Sequence, residues 1–486
     1  MWRFANFGAM RCSPSALVLG LGPAGRIAAY RAAARGWSVC AIDPTGGRMP
    51  STIGAWAGQL PQWLPADVVA ACAPALVITS TGRERQLGDD YVVFDVDALG
   101  RLGADTFEVL RQRAIHTTGF QFSFSDASSQ RSVVARWWSK LRGLFDVEDA
   151  FAGAAVMHEY FRVDPRHWPE DFVDPLGPGG SLESFAQPDL LVDTIPVSPL
   201  LARQLAFGQV FEEADLPVTH RRLVLMDFTV AGQPHPEMPA TFSYRIPLGD
   251  GRWLVEETIL ATTVGDRGHA EALHAYLREQ QRARLEALGI DAGCAVDEEV
   301  VDFPLGPWKL QDQRPRRAIA DKLRNIPVGS KAALDLSWLV PFSGNNAPGE
   351  VHFGAAGGWM HPATGYSVGA VLADVDRVLD RGLAGKNTNP PGGVRLGRLR
   401  RLGLAVLLSF SPDQTRVFFD AFFRLSDRRI FAYLTGSSLR GTALTMVSLL
   451  PHLVPHRETL SRLLVTAVSA VVPFRTKISR QRRVMN

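Results

Sequence analysis

Ala16-Leu17-Val18-Leu19-Gly20-Leu21-Gly22-Pro23-Ala24-Gly25, running on into Ala28-Ala29-Tyr30-Arg31-Ala32-Ala33-Ala34, decides how the N-terminal part of this chain folds. An apolar run of strand character breaks at glycines spaced G-x-G-x-x-G, restarts as an Ala-rich helix and stops at Gly36. A second apolar run, Val39–Ile42, then closes on Asp43. Strand, glycine turn, helix, strand and acid in that order predict a dinucleotide-binding βαβ unit. Gly20 permits the tight turn and Gly22 lets the backbone approach a pyrophosphate. Gly25 lets the helix pack close to the strand, and the helix start, with Pro23 setting its first turn and Ala24 following, offers the free N–H groups after Pro23 to the phosphates. Asp43 is expected to accept hydrogen bonds from an adenosine ribose.

The 486 residues suffice for two or three domains with a sizeable core. A formal net charge of only +3 argues against a nucleic-acid binder working through basic surface. Cys12, Cys40, Cys72 and Cys294 lie far apart, so neither a metal site nor a disulfide framework is expected, and a reduced compartment fits. A secretory signal is not expected, and no stretch reaches the ~18–20 uncharged apolar residues of a membrane-spanning helix.

Along the chain, Pro44–Trp56 reads as a Gly/Pro-rich loop whose Trp56, like Trp63 after it, either lines a site or anchors the loop. Leu76–Ile78 and Tyr91–Val96 read as strands, with Asp97 placed to cap the helix that follows. Residues 164–188, rich in Pro, Gly and acids, read as a long loop or an insertion. Strand signals dominate Arg222–Phe228, Ala240–Leu248 and Trp253–Ile259, and Gly249-Asp250-Gly251 joins the last two as a hairpin. Ala270–Leu288 carries the apolar repeat of a helix.

From Val351 to Val368 the order of strand, glycine turn and helix recurs, the helix running through Asp380. This is either a plain structural turn or a second approach of backbone to a charged cofactor. A flavin, whose isoalloxazine extends well past the first βαβ unit, needs such an approach. Gly354, Ala355, Pro362, Thr364 and Gly365 are the candidate contacts. After the linker Lys386–Gly393 the chain reads helical, with basic runs at Arg395–Arg401 and Arg475–Arg483. That region is either a cap on a pocket or a surface meeting anionic lipid. The expected plan is a discontinuous dinucleotide domain (14–215 and 340–385), a β-rich substrate domain (216–339) and a helical region (394–486).

The two glycine motifs resemble the architecture of FAD-dependent monooxygenase-like proteins. Pro50–Trp56, Met226-Asp227-Phe228, Thr241–Tyr244, Val255-Glu256-Glu257-Thr258, His361–Ser367 and Phe418–Phe423 are similar to words of the flavin-dependent lycopene cyclases of bacteria and plants, over residues about 15 to 435. Ile53, Gln59 and Thr229 depart from that pattern, and Val192-Asp193-Thr194-Ile195 lacks a glycine, which marks a divergent member, while Ala355 stands where the hydroxylase branch places an Asp. The resemblance implies an α/β fold, with a Rossmann-like FAD-binding unit, a β-rich substrate domain and a C-terminal helical region. It implies reduced FAD, NADPH as reductant, and lycopene or another acyclic carotenoid as substrate. It also implies a cytoplasmic protein in peripheral contact with membrane, binding neither nucleic acid nor metal.

The implied reaction is an acid-catalysed closure of the ψ-end groups to β-ionone rings with no net redox change. Glu256 and Glu257 point to opposite faces of a strand, so only one can face the ring. On the residues alone they read as ordinary strand glutamates, one solvated and one paired with an arginine. The resemblance makes Glu256 the first candidate for the acid and Glu257 the second, with Asp227 orienting the acid or acting as a second acid–base group. His361 reads as a loop hydrogen-bonder rather than a base. Two other functions fit the same motifs: an FAD-dependent monooxygenase acting on an apolar isoprenoid, and a non-catalytic flavin- or carotenoid-binding homologue.

Overall fold

The computed structural model describes residues 13–43, 45–110, 120–124, 155–159, 188–195, 202–233, 235, 237–264, 267–305 and 349–471. Its strands are β1 Ser15–Leu19, β2 Ser38–Ile42, β3 Gly54–Trp56, β4 Val69–Ile78, β5 Glu84–Phe94, β6 Glu108–Leu110, β7 Phe120–Phe124, β8 Ala155–Glu159, β9 Leu190–Asp193, β10 Arg203–Glu212, β11 Val224–Asp227, β12 Phe242–Gly249, β13 Arg252–Thr262, β14 Asp297–Pro304 and β15 Glu350–His352. The helices are α1 Pro23–Ala34, α2 Val96–Arg101, α3 Arg267–Leu288, α4 Val368–Leu383, α5 Gly393–Ser409, α6 Pro412–Phe422, α7 Asp427–Leu434, α8 Leu439–Leu453 and α9 Arg457–Val471. The insertion expected at 164–188 lies outside the described residues except for Pro188, as does the basic run Arg475–Arg483.

The predicted βαβ unit is present. β1 and β2 pair in parallel, Ser15 opposite Ser38, at the centre of a five-stranded parallel sheet ordered β15-β9-β1-β2-β6. Parallel strands covered on both faces need apolar side chains throughout, and Ala16, Val18 and Leu19 are fully buried. Helix α1 ends at Ala34, and Gly36 follows with φ +76°, the left-handed conformation that stops a helix. Helix α4 packs on α1 and is tied to it by Arg31–Asp376 (2.9 Å) and Arg35–Asp380 (2.8 Å).

A mixed sheet of eight strands, ordered β14-β10-β13-β12-β11-β4-β5-β3, carries the rest. It takes β3, β4, β5 and β10 from the stretch assigned above to residues 14–215, so a boundary at 215/216 passes through one sheet. The Gly249-Asp250-Gly251 hairpin joins β12 to β13, with Asp250 itself at φ +50°. One expectation fails locally. Strand β5 stops at Phe94 rather than Val96, so Asp95, not Asp97, caps α2, accepting from the N–H groups of Asp97 and Ala98.

The two faces of this sheet are covered differently. Helix α3 lies across β10 and β13 on one face, burying Val255 and Ile259. The C-terminal helices cover the other, where Leu254, Leu260, Phe242, Tyr244 and Ile246 pack with Phe419, Phe422, Phe423 and Leu449. Arg85 fastens this cap to β5 through the carbonyls of Phe423 and Leu425 and the carboxylate of Asp427. Asp420 does the same for β4, accepting from the N–H of Ser80 at 2.8 Å.

Candidate active site

The first glycine turn has the shape a dinucleotide requires. Gly20 sits at φ +81°, and a Cβ on Gly25 would lie 1.8 Å from the Gly20 carbonyl oxygen. A Cβ on Gly22 would meet nothing within 4 Å, so that side of the turn is open. Gly22 is also the N-cap of α1 and offers no side-chain cap, leaving first-turn N–H groups for an anion. The second turn meets the first: a Cβ on Gly354 would lie 2.3 Å from Cβ of Ala24. Two glycine turns in contact, one uncapped and open, fit a bound dinucleotide with Ala355 beside the junction. Pro362, Thr364 and Gly365 carry the same loop toward the large sheet, where Gly365 lies against Phe303 of β14. His361 is buried and its Nδ1 accepts from the Ala363 N–H at 3.2 Å. Burial and the nearby Arg400 push its pKa well down, so it is neutral and acts within the loop.

Asp43 does more than the sequence suggested. Its Oδ2 accepts from the Leu21 N–H (2.8 Å), while Oδ1 accepts from the N–H and hydroxyl of Thr45 and from the Gly47 N–H. Burial alone would raise its pKa, but these hydrogen bonds outweigh it and hold the carboxyl below its ordinary value. The acid therefore orders the loop after β2, and Oδ2 retains capacity for a ribose hydroxyl.

The three candidate acid–base residues are not brought together. β12 lies between β11 and β13, so Asp227 is not on the strand next to the glutamates. Asp227, Ser243 and Glu257 form one row across the sheet, on the face covered by α3. There Arg284 of α3 donates to Glu257 Oε2 (3.2 Å), to the Thr229 hydroxyl (2.8 Å) and to the Thr229 carbonyl (2.7 Å), and lies 3.7 Å from Asp227. Arg245 donates to Asp227 at 3.4 Å and the Thr241 hydroxyl to Glu257 at 2.6 Å. Glu257, Asp227, Arg245 and Arg284 are each at most 4% exposed, a closed ionic network. Thr229, which departs from the family pattern by not being basic, receives its cation from Arg284 instead.

Glu256 points the other way, toward the C-terminal cap. It pairs with Tyr244 on β12 and accepts from the Thr258 hydroxyl at 2.8 Å. Burial, then the charge of Glu299, raises its pKa to about 8, so the carboxyl is protonated at neutral pH. Glu299 was not among the sequence candidates. It lies on β14, and Thr52 donates to both its oxygens, from the N–H at 2.8 Å and the hydroxyl at 2.7 Å. On this same face, between sheet and cap, is a narrow apolar cleft lined by Trp56, Met226, Leu260, Tyr366, Phe419 and Phe422 among others. Leu260 is four residues from Glu256 along the same face of β13. Aromatic edges and faces crowd the region: Trp56 meets Phe431 at 4.8 Å and Phe228 stacks on Phe419 at 4.6 Å.

Comparison with known proteins agrees with the words that carried the resemblance. An "uncharacterized carotenoid cyclase" of Deinococcus radiodurans is 28% identical, the alignment covering 88% of each chain. The chloroplastic lycopene beta cyclase of Arabidopsis thaliana is 24% identical over 86% of this chain and 74% of its own. Among solved structures, a probable FAD-dependent monooxygenase from Pseudomonas aeruginosa aligns over 93% of this chain and 100% of its own, at 12% identity and a TM-score of 0.39. The family described as lycopene cyclase protein matches residues 191–334 and 339–460, more than half of the sequence, and the chain belongs to that family.

Proposed function

We propose that this protein binds FAD, uses it in the NADPH-reduced form, and closes the ψ-end groups of lycopene or a related acyclic carotenoid into β-ionone rings. The observation that carries the reading is Glu256, a buried carboxyl in its acid form on the face of the sheet that bears the aromatic cleft. An acyclic hydrocarbon offers no polar handle, so its affinity must come from apolar burial at about 25 cal/mol per Å². An aromatic-lined cleft supplies that.

Gly20, Gly22, Pro23, Ala24, Gly25 and Asp43 would hold the adenosine diphosphate half of the cofactor, and Gly354, Ala355, Pro362, Thr364 and Gly365 the flavin half. When bound, the reduced flavin supplies an electron-rich ring system that stabilises positive charge or mediates proton transfer. Glu256 delivers its proton to the end-group double bond. The tertiary cation so formed is attacked by the neighbouring double bond, the ring closes, and a proton leaves the new ring to restore a double bond. Proton in and proton out leave substrate and product isomeric. Faces of Trp56, Phe419 and Phe422 stabilise the cation as it moves. Glu257 and Asp227 hold α3 on the sheet rather than transfer protons.

Because the acid must be protonated to act, the rate is expected to be flat on the acid side of pH 8. Above about pH 8 it should fall about tenfold per pH unit as Glu256 ionises. A pH profile of the turnover of purified holoenzyme on lycopene in liposomes checks this, and a rate unchanged to pH 10 would oppose it. Access to a lipid-borne substrate fits the C-terminal helices, where Val447, Val465 and Val468 are 61%, 58% and 60% exposed. Among the described residues no helix is long and apolar enough to cross a membrane, so we assign this surface to peripheral contact with a bilayer from the cytoplasmic side. Expression in lycopene-accumulating cells tests the function as a whole. A ring-bearing product of unchanged mass supports it. A product heavier by one oxygen indicates the monooxygenase, and flavin bound without product indicates the non-catalytic homologue.

A further inference from the structure

Taking Glu256 as the acid, the reading above leaves unexplained why its proton stays on Glu256 rather than on a neighbour. Strand β10 runs between β13 and β14, and Gly208 on β10 pairs with Glu256 on one side and with Glu299 on the other. The three residues form one row, with their side-chain positions on one face. A Cβ placed on Gly208 would lie 3.0 Å from Cβ of Glu256 and 3.2 Å from its Cγ. Cross-strand Cβ atoms normally stand about 4.5–5.5 Å apart, so the Glu256 side chain leans over the bare backbone of Gly208, toward β14. The facing carboxylate there is Glu299. Burial raises its pKa, but its two oxygens each accept a hydrogen bond from Thr52, which works against that rise and favours the ionised form. Among the described residues, Glu256 receives the Thr258 hydroxyl alone, on one oxygen.

We infer that Glu299, held by Thr52 as the more readily ionised of the two carboxyls and facing Glu256 across Gly208, is the positioning residue that keeps the proton on Glu256. Two carboxyls so placed cannot both ionise cheaply, and they titrate as a pair whose single proton goes to the less hydrogen-bonded member. The other groups around Glu256 do not reverse this. Tyr244 from β12 and Tyr366 from the second glycine loop are neutral, and Glu257 on the reverse face is a further negative charge. Thr52 lies in the loop between β2 and β3, so that loop bears on the protonation of the acid through Glu299.

The test is infrared difference spectroscopy of the carboxylic-acid carbonyl together with turnover, both as functions of pH, on purified FAD-loaded enzyme with lycopene in liposomes. In the wild type, a band that E256Q abolishes should persist to about pH 8. In E299Q the band and the alkaline limb of the rate should both move at least about one unit lower, so that turnover at pH 8 drops about fivefold or more while the acid-side rate is kept. T52V, which removes the hydroxyl from Glu299, should weaken the Glu256 band at neutral pH, and T52S should restore it. If E299Q does not fold, that threonine pair decides alone. A Glu256 band and rate limb unmoved in E299Q, or unmoved in T52V, overturns the role of Glu299. Absence of the band in the wild type with full activity in E256Q instead overturns Glu256 as the acid.

Discussion

Replacing Glu256 with Gln is expected to lower cyclisation by roughly 10²–10⁴-fold while leaving flavin absorbance and binding unchanged. Gln keeps the shape of the protonated carboxyl and can still accept from the Thr258 hydroxyl, but it has no proton to give. The residues proposed to hold the cofactor, at Gly20–Gly25 and Gly354–Gly365, do not include Glu256, so cofactor binding should be kept. The same substitution should act on stability with a definite sign. The folded-state pKa of about 8 lies above the ordinary 4.5 of a glutamate. Below pH 4.5 both folded and unfolded chains carry the proton. Between 4.5 and 8 the unfolded chain releases it first, so the wild type loses stability as pH rises through that window. E256Q has no such loss and should be more stable than the wild type at pH 8, with little difference at pH 4. Urea unfolding at the two pH values checks the sign, and retained turnover in E256Q would remove the residue from the mechanism.

Replacing Arg284 with Met is expected to cost about 3–5 kcal/mol of folding stability. Arg284 is 3% exposed and serves Glu257, Asp227 and the backbone of Thr229 at once. Burial disfavours its charge, but Glu257 and Asp227 outweigh that and keep it protonated. Its removal leaves two carboxylates buried under α3, with only Arg245 near one of them. Met fills the volume, so the loss reports the uncompensated charges rather than a cavity. Urea midpoints at pH 7 measure it; a change below about 1 kcal/mol, the usual value for an exposed pair, would show the network to be solvent-screened. The two substitutions thus separate neighbouring glutamates: disturbing the Glu256 side removes chemistry, and disturbing the Glu257 side removes stability.

What was legible in the sequence was local. The β1–α1–β2 unit declares itself within thirty or so residues because each glycine answers to a neighbour close in the chain, as Gly25 does to Gly20. The β12–β13 hairpin was legible for the same reason. Strand alternation established that Glu256 and Glu257 part ways, but not which of them shares a face with the cleft, since that depends on where α3 and the C-terminal helices dock. Asp227 read as orienting the acid or acting as a second acid–base group; the structure sets it in one row with Glu257, across the intervening β12 and joined through Arg284. Glu299 was hidden in the acid run Asp297-Glu298-Glu299, within a stretch that reads as strand and loop and carries no motif. Only the register with Gly208 shows that it faces Glu256. One signal was available: an isolated glycine within a strand often marks the close approach of something else, and Gly208 sits in the middle of β10.

The central claim is proton-initiated, redox-neutral ring closure, and the isotopic mass of the product tests it most directly. Purified enzyme with reduced FAD is given lycopene in D₂O and the product is weighed. Protonation by an exchanged Glu256 carboxyl followed by loss of a substrate proton predicts one deuterium per ring formed and no added oxygen. A product carrying oxygen, or a ring-bearing product without deuterium, would contradict the account.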